Sequence, residues 1–165
     1  MTENDETRRD IKATFIVVSI VVLLAVAAIN VIVPRLQPST TLQIGDGVFR
    51  ATLAMDYESR ERGLAGVEEL PDDEAMIFVF DHASRWGIWM KDMAIPIDIV
   101  WLDDDKKVVD IVRNVQPESI QQHTTYRPES DAKYAIEFAA GTVEAKSIKI
   151  GRMATFEYVK DGRSI

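Results

Sequence analysis

Residues 41–55 read Thr-Leu-Gln-Ile-Gly-Asp-Gly-Val-Phe-Arg-Ala-Thr-Leu-Ala-Met, and this stretch decides what kind of domain the chain builds. Thr41 to Ile44 and Val48 to Met55 flank Gly45-Asp46-Gly47, a short loop whose glycines permit positive φ, so a β-hairpin is predicted. In its second arm Phe49, Ala51, Leu53 and Met55 alternate with Arg50, Thr52 and Ala54. Period-two alternation predicts one buried face and one wet face.

Downstream, Asp56 is placed to cap a short helix running to about Leu64, with Gly63 and Gly66 marking its end. Pro71 and the acidic Asp72-Asp73-Glu74 read as a turn, and Met76 to Phe80 is a continuous apolar run that reads as a buried strand. Further strands are predicted at Ile88 to Met90, Ile97 to Leu102, Val108 to Val115, Tyr134 to Phe138 and Met153 to Val159. Asp103 to Lys107 forms a charged turn, and Gln116 to Asp131, with Pro117 and Pro128, reads as a long surface loop or lid. The expected fold is α+β and mostly β: a small antiparallel barrel or sandwich-like domain with one short helix.

Upstream, residues 13–33 hold 21 positions without a charge, and only Thr14, Ser19 and Asn30 are polar. At 1.5 Å per residue such a helix spans a hydrocarbon core of about 30 Å, and Pro34 ends it. The triplet Ala25-Val26-Ala27 resembles a signal-peptidase site, but the apolar run continues to Val33, longer than a cleaved segment needs. A single retained transmembrane helix is therefore expected. Arg8, Arg9 and Lys12 precede it and Arg35 follows, which places the N-terminus in the cytoplasm and the domain outside the cell membrane. The expected organisation is a cytoplasmic tail 1–12, the span 13–33, a linker 34–41, a β-rich domain 42–160 and a C-terminal tail 161–165. Ala25, Ala27 and Ala28 offer little as a packing face, so the oligomeric state is left open.

The chain has 165 residues, no cysteine and a net charge of -8. Its length admits one domain beyond the span. The missing cysteines exclude disulfides, thiolate metal sites and thiol nucleophiles, and an acidic surface repels polyphosphate, so no nucleic acid partner is expected. No P-loop, dinucleotide fingerprint or Gly-x-Ser-x-Gly appears, and neither a cofactor nor a metal is expected. His82 and His123 lie far apart, and Asp103 to Asp105 lacks the glycine and distal glutamate of a calcium loop.

The segments Glu61-Arg62-Gly63-Leu64, Ala75 to Phe80, Trp89-Met90-Lys91-Asp92-Met93, Ile95 to Val100 and Ile136 to Gly141 occur in an order that resembles the DUF192 family. The resemblance covers about 42 to 159 and implies a small β-rich fold of bacterial and archaeal proteins, often exported or anchored, with no established activity. Its most specific part is Trp-Met-Lys followed by Pro-x-Asp. The chain departs from the family pattern at Ala65, where Met is usual, and at Asp92-Met93, where the family usually has Asn-Thr.

Candidate chemistry centres on Lys91, Asp92 and Asp98, which fall within eight residues, with Trp89 and Arg62 as further ligand-binding candidates. Asp98 precedes an apolar strand core, where a bare carboxylate needs a partner. It either orients a ligand held by Lys91, or satisfies loop amides and pairs with Lys91 or Arg62. Glu137, between Ile136 and Phe138, reads as a wet-face residue, or as the second carboxylate of a glycosidase-like pair with Asp98. Trp101 shares a face with Ile99 and reads as core, whereas Trp89 is the better wall for a pocket, against a core alternative. Two functions are expected on this basis. One is a non-enzymatic binding or accessory module that takes a small-molecule or envelope ligand outside the membrane. The other is a carboxylate-dependent hydrolase or lyase acting on an envelope saccharide or peptide. A partner-docking domain without a pocket is a third.

Overall fold

The computed structural model describes residues 16–23, 37–118, 124–160 and 162–165, and the chain divides into two units, 1–37 and 38–165. In the first unit, residues 16–23 are helical (α1) with exposed apolar side chains. Among the described residues no helix is long and apolar enough to cross a membrane. The rest of the expected span 13–33, the tail 1–12 and residues 34–36 lie outside the described residues.

The second unit is built on six strands. β1 (Ser39–Ile44) and β2 (Gly47–Ala54) form the expected hairpin, pairing from Ile44 with Gly47 to Ser39 with Thr52. β1 therefore starts inside the expected linker 34–41, because Ser39 and Thr40 find ladder partners. After β2 the chain turns through α2 (Tyr57–Arg62) and comes back as β3 (Glu74–Ser84), which pairs with β2 in parallel from Arg50–Glu74 to Ala54–Phe78. The remaining large strands are β5 (Ile97–Leu102), β6 (Val108–Val115) and β8 (Ala132–Ala139), and the sheet order is β1-β2-β3-β8-β5-β6. Two small ladders pair β4 (Ile88–Trp89) with β7 (Thr125–Tyr126), and β9 (Val159–Lys160) with β10 (Arg163–Ser164).

This corrects the expected antiparallel barrel or sandwich: the sheet is mixed and open, with β1 and β6 as its edges. The physical reason is the crossover. A parallel pair needs a connection of a dozen or more residues, and 55–73 supplies one that carries α2. Asp56 starts that helix as expected, accepting from the Ser59 amide at 2.8 Å while Ser59 Oγ accepts from the Asp56 amide at 3.2 Å. Further differences lie near the C-terminus. Met153 to Val159 makes two isolated bridges, Lys107–Met153 and Gln43–Thr155, in place of a full strand. A short helix, α3 (Thr142–Ala145), comes after β8, and the expected tail 161–165 contains β10.

Short helices, a small ladder and loops cover both faces of the sheet, so two cores form. On one face Leu42, Phe49, Ile77, Val100, Ile136 and Phe138 pack beneath Val143, Ile148, Phe156 and Tyr158. On the other, Met76, Phe78, Ile97, Ile99 and Trp101 pack beneath Leu64, Ile88 and Met90, with Val67, Leu70 and Trp86 partly buried around them. Every position of β5 is buried, as expected of a strand covered on both sides.

Candidate functional site

Asp98 and Glu137 occupy neighbouring strands, but the register puts them on opposite faces. Asp98 pairs with Phe138, on the face covered by α3, whereas Glu137 pairs with Ile99 and Met76, on the face beneath Leu64 and Met90. A glycosidase-like pair of these two carboxylates is therefore ruled out, because the sheet itself separates them.

Asp98 is 1% exposed, and backbone amides occupy both of its oxygens. Oδ1 accepts from the Asn114 amide at 2.8 Å; Oδ2 accepts from the amides of Gly141 at 3.0 Å and Val143 at 2.9 Å. The carboxylate ties the end of β6 and the start of α3 to β5. Of its two readings the loop-amide one describes the geometry, but without an ion pair to Lys91 or Arg62. Arg62 instead meets Glu58 at 3.0 Å.

Glu137 is 2% exposed and so corrects the wet-face reading: it does face away from Ile136 and Phe138, but into the second core. Its Oε2 is buried and has no hydrogen-bond partner among the described residues. Burial pushes its carboxyl up to about 8 by stripping away its hydration. Glu137 is among the residues that line a cavity of about 400 Å³, within the usual size range of small-molecule sites.

The cavity walls come from three pieces of chain. The first is α2 and the turn after it. Arg60 donates to the carbonyls of Met55 at 2.6 Å and Val79 at 3.0 Å and lies over the Phe80 ring, which locks it into the wall. Gly63 closes α2 at φ 51°, a conformation that disfavours a side chain; a Cβ there would lie 3.2 Å from the Phe78 ring and 3.8 Å from Glu137 Oε2. The second piece is the stretch from Phe80 to Met93. Trp86 stacks on Phe80 at 4.8 Å and donates through Nε1 to the His82 carbonyl, while Trp89 is 43% exposed with Lys91 Nζ 5.5 Å from its ring. The third piece runs from β7 to Arg127. Gly87 lets this segment close in, since a Cβ there would fall 2.3 Å from Thr125 Cγ2, and Arg127 donates to the Arg85 carbonyl at 3.0 Å.

The fold thus sorts the sequence-predicted residues. Trp89, Lys91 and Arg62 come together with Glu137 at one cavity. Asp92 lies beside it, in a shallower depression with Glu58, Glu61, Arg62 and Lys91, and Asp98 is elsewhere. Asp92 has φ 57°, and its carbonyl accepts from the Gly66 amide at 2.9 Å, which fastens the turn after α2 to the Trp-Met-Lys segment. Asn and Asp are the residues with side chains that best tolerate this backbone region, so the departure from Asn at this position preserves the turn. Trp101 is fully buried with Ile99. Phe80, at the end of the apolar run, and Trp86, in the same short stretch as Trp89, also line the cavity; Arg60 and Arg127 line it too and carry no local signal in the sequence, because different elements bring them together. The position of Glu137 inside the otherwise apolar stretch Tyr134 to Ala140 is a usable hint. Among the described residues no three His, Cys, Asp or Glu side chains converge as a metal site would require; His123 lies outside the described residues.

Fold and cavity together define a small α+β domain whose open mixed sheet is wrapped on both faces and hollowed on one. The chain belongs to the DUF192 family, described as an uncharacterized ACR, which it matches over residues 40–156. It is 29% identical over 107 residues to a UPF0127 protein of Thermococcus gammatolerans, covering 64% of this chain and 65% of that protein. It is 28% identical over 109 residues to one of Thermococcus kodakarensis, covering 65% and 64%. The chain thus spans just under two thirds of the length of these curated relatives. Among solved structures, it resembles a Novosphingobium aromaticivorans protein of unknown function with a TM-score of 0.65 and 26% identity, over 72% of this chain and 84% of that one. It also resembles a Sinorhizobium meliloti protein provisionally described as a transcription regulator, with a TM-score of 0.64 and 25% identity, over 72% and 92%.

Proposed function

We propose that this domain is a small-molecule binding module, and that its ligand enters the cavity between α2 and the Trp86–Lys91 segment. The observation that carries this reading is the buried, unpartnered carboxyl of Glu137, a residue that lines the cavity. A buried polar group left without a partner is costly, and a ligand that met it would recover that cost on binding. The test is a thermal-shift screen of a small-molecule library on the full-length chain. A supporting compound raises Tm in the wild type and loses its effect in Trp89→Ala and Lys91→Ala, two changes at exposed positions that leave the cores intact. Compounds whose effect survives both substitutions would move the binding site elsewhere.

A second reading has one specific observation in its favour. With its carboxyl raised to about 8, Glu137 carries a proton at neutral pH and suits the role of a general acid. The domain would then be a hydrolase or lyase on an envelope saccharide or peptide, working with a single carboxyl group. Turnover that vanishes in Glu137→Gln would support it; turnover unchanged in that variant would remove it.

We also propose that the span 13–33 anchors the domain on the outer side of the cell membrane, on the strength of its apolar length and the basic residues before it. Because the chain lacks cysteine, Val48→Cys at an exposed strand position gives a single reporter thiol. An impermeant maleimide should label it in intact cells. Labelling only after lysis would reverse the orientation.

A further inference from the structure

The cavity is rich in cations although the protein is acidic. Arg60, Arg62, Lys91 and Arg127 line it against one exposed carboxylate, Glu61, in a chain of net charge -8. Glu58 offsets Arg62, but no ion pair among the described residues involves Lys91, Arg127 or Arg60. A cationic ligand would meet repulsion at this entrance, whereas an anionic one would be drawn to it. The walls are of a different kind: the Trp86–Phe80 stack and the half-open Trp89 offer flat aromatic surface, which suits the face of a ring. Also in the lining, a protonated Glu137 both donates and accepts a hydrogen bond. A wholly apolar ring pushed against it would leave the carboxyl without a polar partner, while a hydroxyl, itself both donor and acceptor, would supply one.

We propose that the cavity binds a ring-shaped organic anion bearing a hydroxyl, with its anionic group at the Lys91 and Arg127 entrance and the hydroxyl against Glu137. This rests on the small-molecule reading above and specifies its ligand class. Two sources share this chemistry, saccharide acids and hydroxylated aromatic acids.

The experiment is calorimetric titration of the full-length chain in detergent with D-glucuronate, 4-hydroxybenzoate, benzoate and glucosamine. At least one of the two hydroxylated anions should bind, and which one does identifies the source. If it is 4-hydroxybenzoate, benzoate should bind about tenfold more weakly, the scale of one hydrogen bond left unmade. If it is glucuronate, glucosamine should not compete. Lys91→Ala should weaken the anion by roughly fivefold, the scale of a half-exposed charge pair. Glu137→Leu, which removes a buried unpaired polar group and should fold at least as well, should erase the preference for the hydroxyl. Glucosamine binding as tightly as glucuronate, benzoate as tightly as 4-hydroxybenzoate, or failure of both hydroxylated anions would overturn the proposal. If another compound still gives a Trp89-dependent thermal shift, the binding-module reading stands and only the ligand class falls; if none does, both fall.

Discussion

Asp98 and Glu137 sit one strand apart in the same sheet, both almost wholly buried, yet the two faces treat them in opposite ways. On the face of α3, Asp98 receives three backbone amides and works as a staple between β5, β6 and the start of α3. On the face of α2, Glu137 receives none, and the chain around it leaves a cavity. A buried carboxylate surrounded by donors is structure, because its charge is spent on holding chain segments together. A buried carboxyl without donors is a place that a ligand or a proton can occupy. The family motifs divide along the same line: Arg62-Gly63-Leu64 and Trp89-Met90-Lys91 shape the cavity, while Pro96-x-Asp98 and Gly141 build the staple.

The largest effect expected from this contrast belongs to the staple. Asp98→Ala strips three backbone amides, one of them fully buried, of their acceptor and should lower the unfolding free energy by about 4 kcal/mol. Urea unfolding measures it, and a loss below about 1 kcal/mol would mean that the staple carries little of the fold.

Next comes the opposite carboxyl. The folded-state value of Glu137 lies above its ordinary 4.5, at about 8, so the folded chain keeps a proton that the unfolded chain releases across that window. Its contribution to stability is fully present below pH 4.5, fades as pH rises and is gone above about 8. Glu137→Gln cannot ionise. It should therefore flatten this part of the pH profile and exceed the wild type at pH 9 by a few kcal/mol. Parallel profiles of the two proteins between pH 5 and 9 would show that Glu137 is solvated or paired in solution, and the contrast between the faces would disappear.

A smaller effect is expected at Gly63. Gly63→Ala places a Cβ at positive φ against the Phe78 ring and should cost about 1–2 kcal/mol. It should also weaken any cavity ligand, since that Cβ points toward Glu137. A neutral Tm with unchanged binding would show that this turn is not part of the site.

Local pattern makes much of the fold legible. Gly45-Asp46-Gly47 between alternating strands, Asp56 three residues before Ser59, and the apolar runs that form β3 and β5 are each read within a few residues. The parallel pairing of β2 with β3 is not legible, because it depends on how 55–73 crosses back and not on any residue of either strand. The candidate site is legible in part. Trp89, Lys91 and Arg62 belong to short motifs and do line the cavity. Asp98, close to them in sequence, lies on the far side of the sheet. Alternation misplaces Glu137, because it tells which side of a strand a residue faces, not whether that side is covered.

From its own order of residues the chain determined the hairpin, the capped helix, the strand-forming runs, the net negative charge and the uncharged apolar run 13–33, because each of these rests on propensity, periodicity or charge over a short window. Only the tertiary structure decided that β8 lies between β3 and β5, that Asp98 and Glu137 face opposite ways, and that four cations and two tryptophans surround an unpartnered carboxyl. Those are facts about segments far apart in sequence. Packing brings them together by burying apolar area wherever it can be covered, and the cavity is what that covering left open.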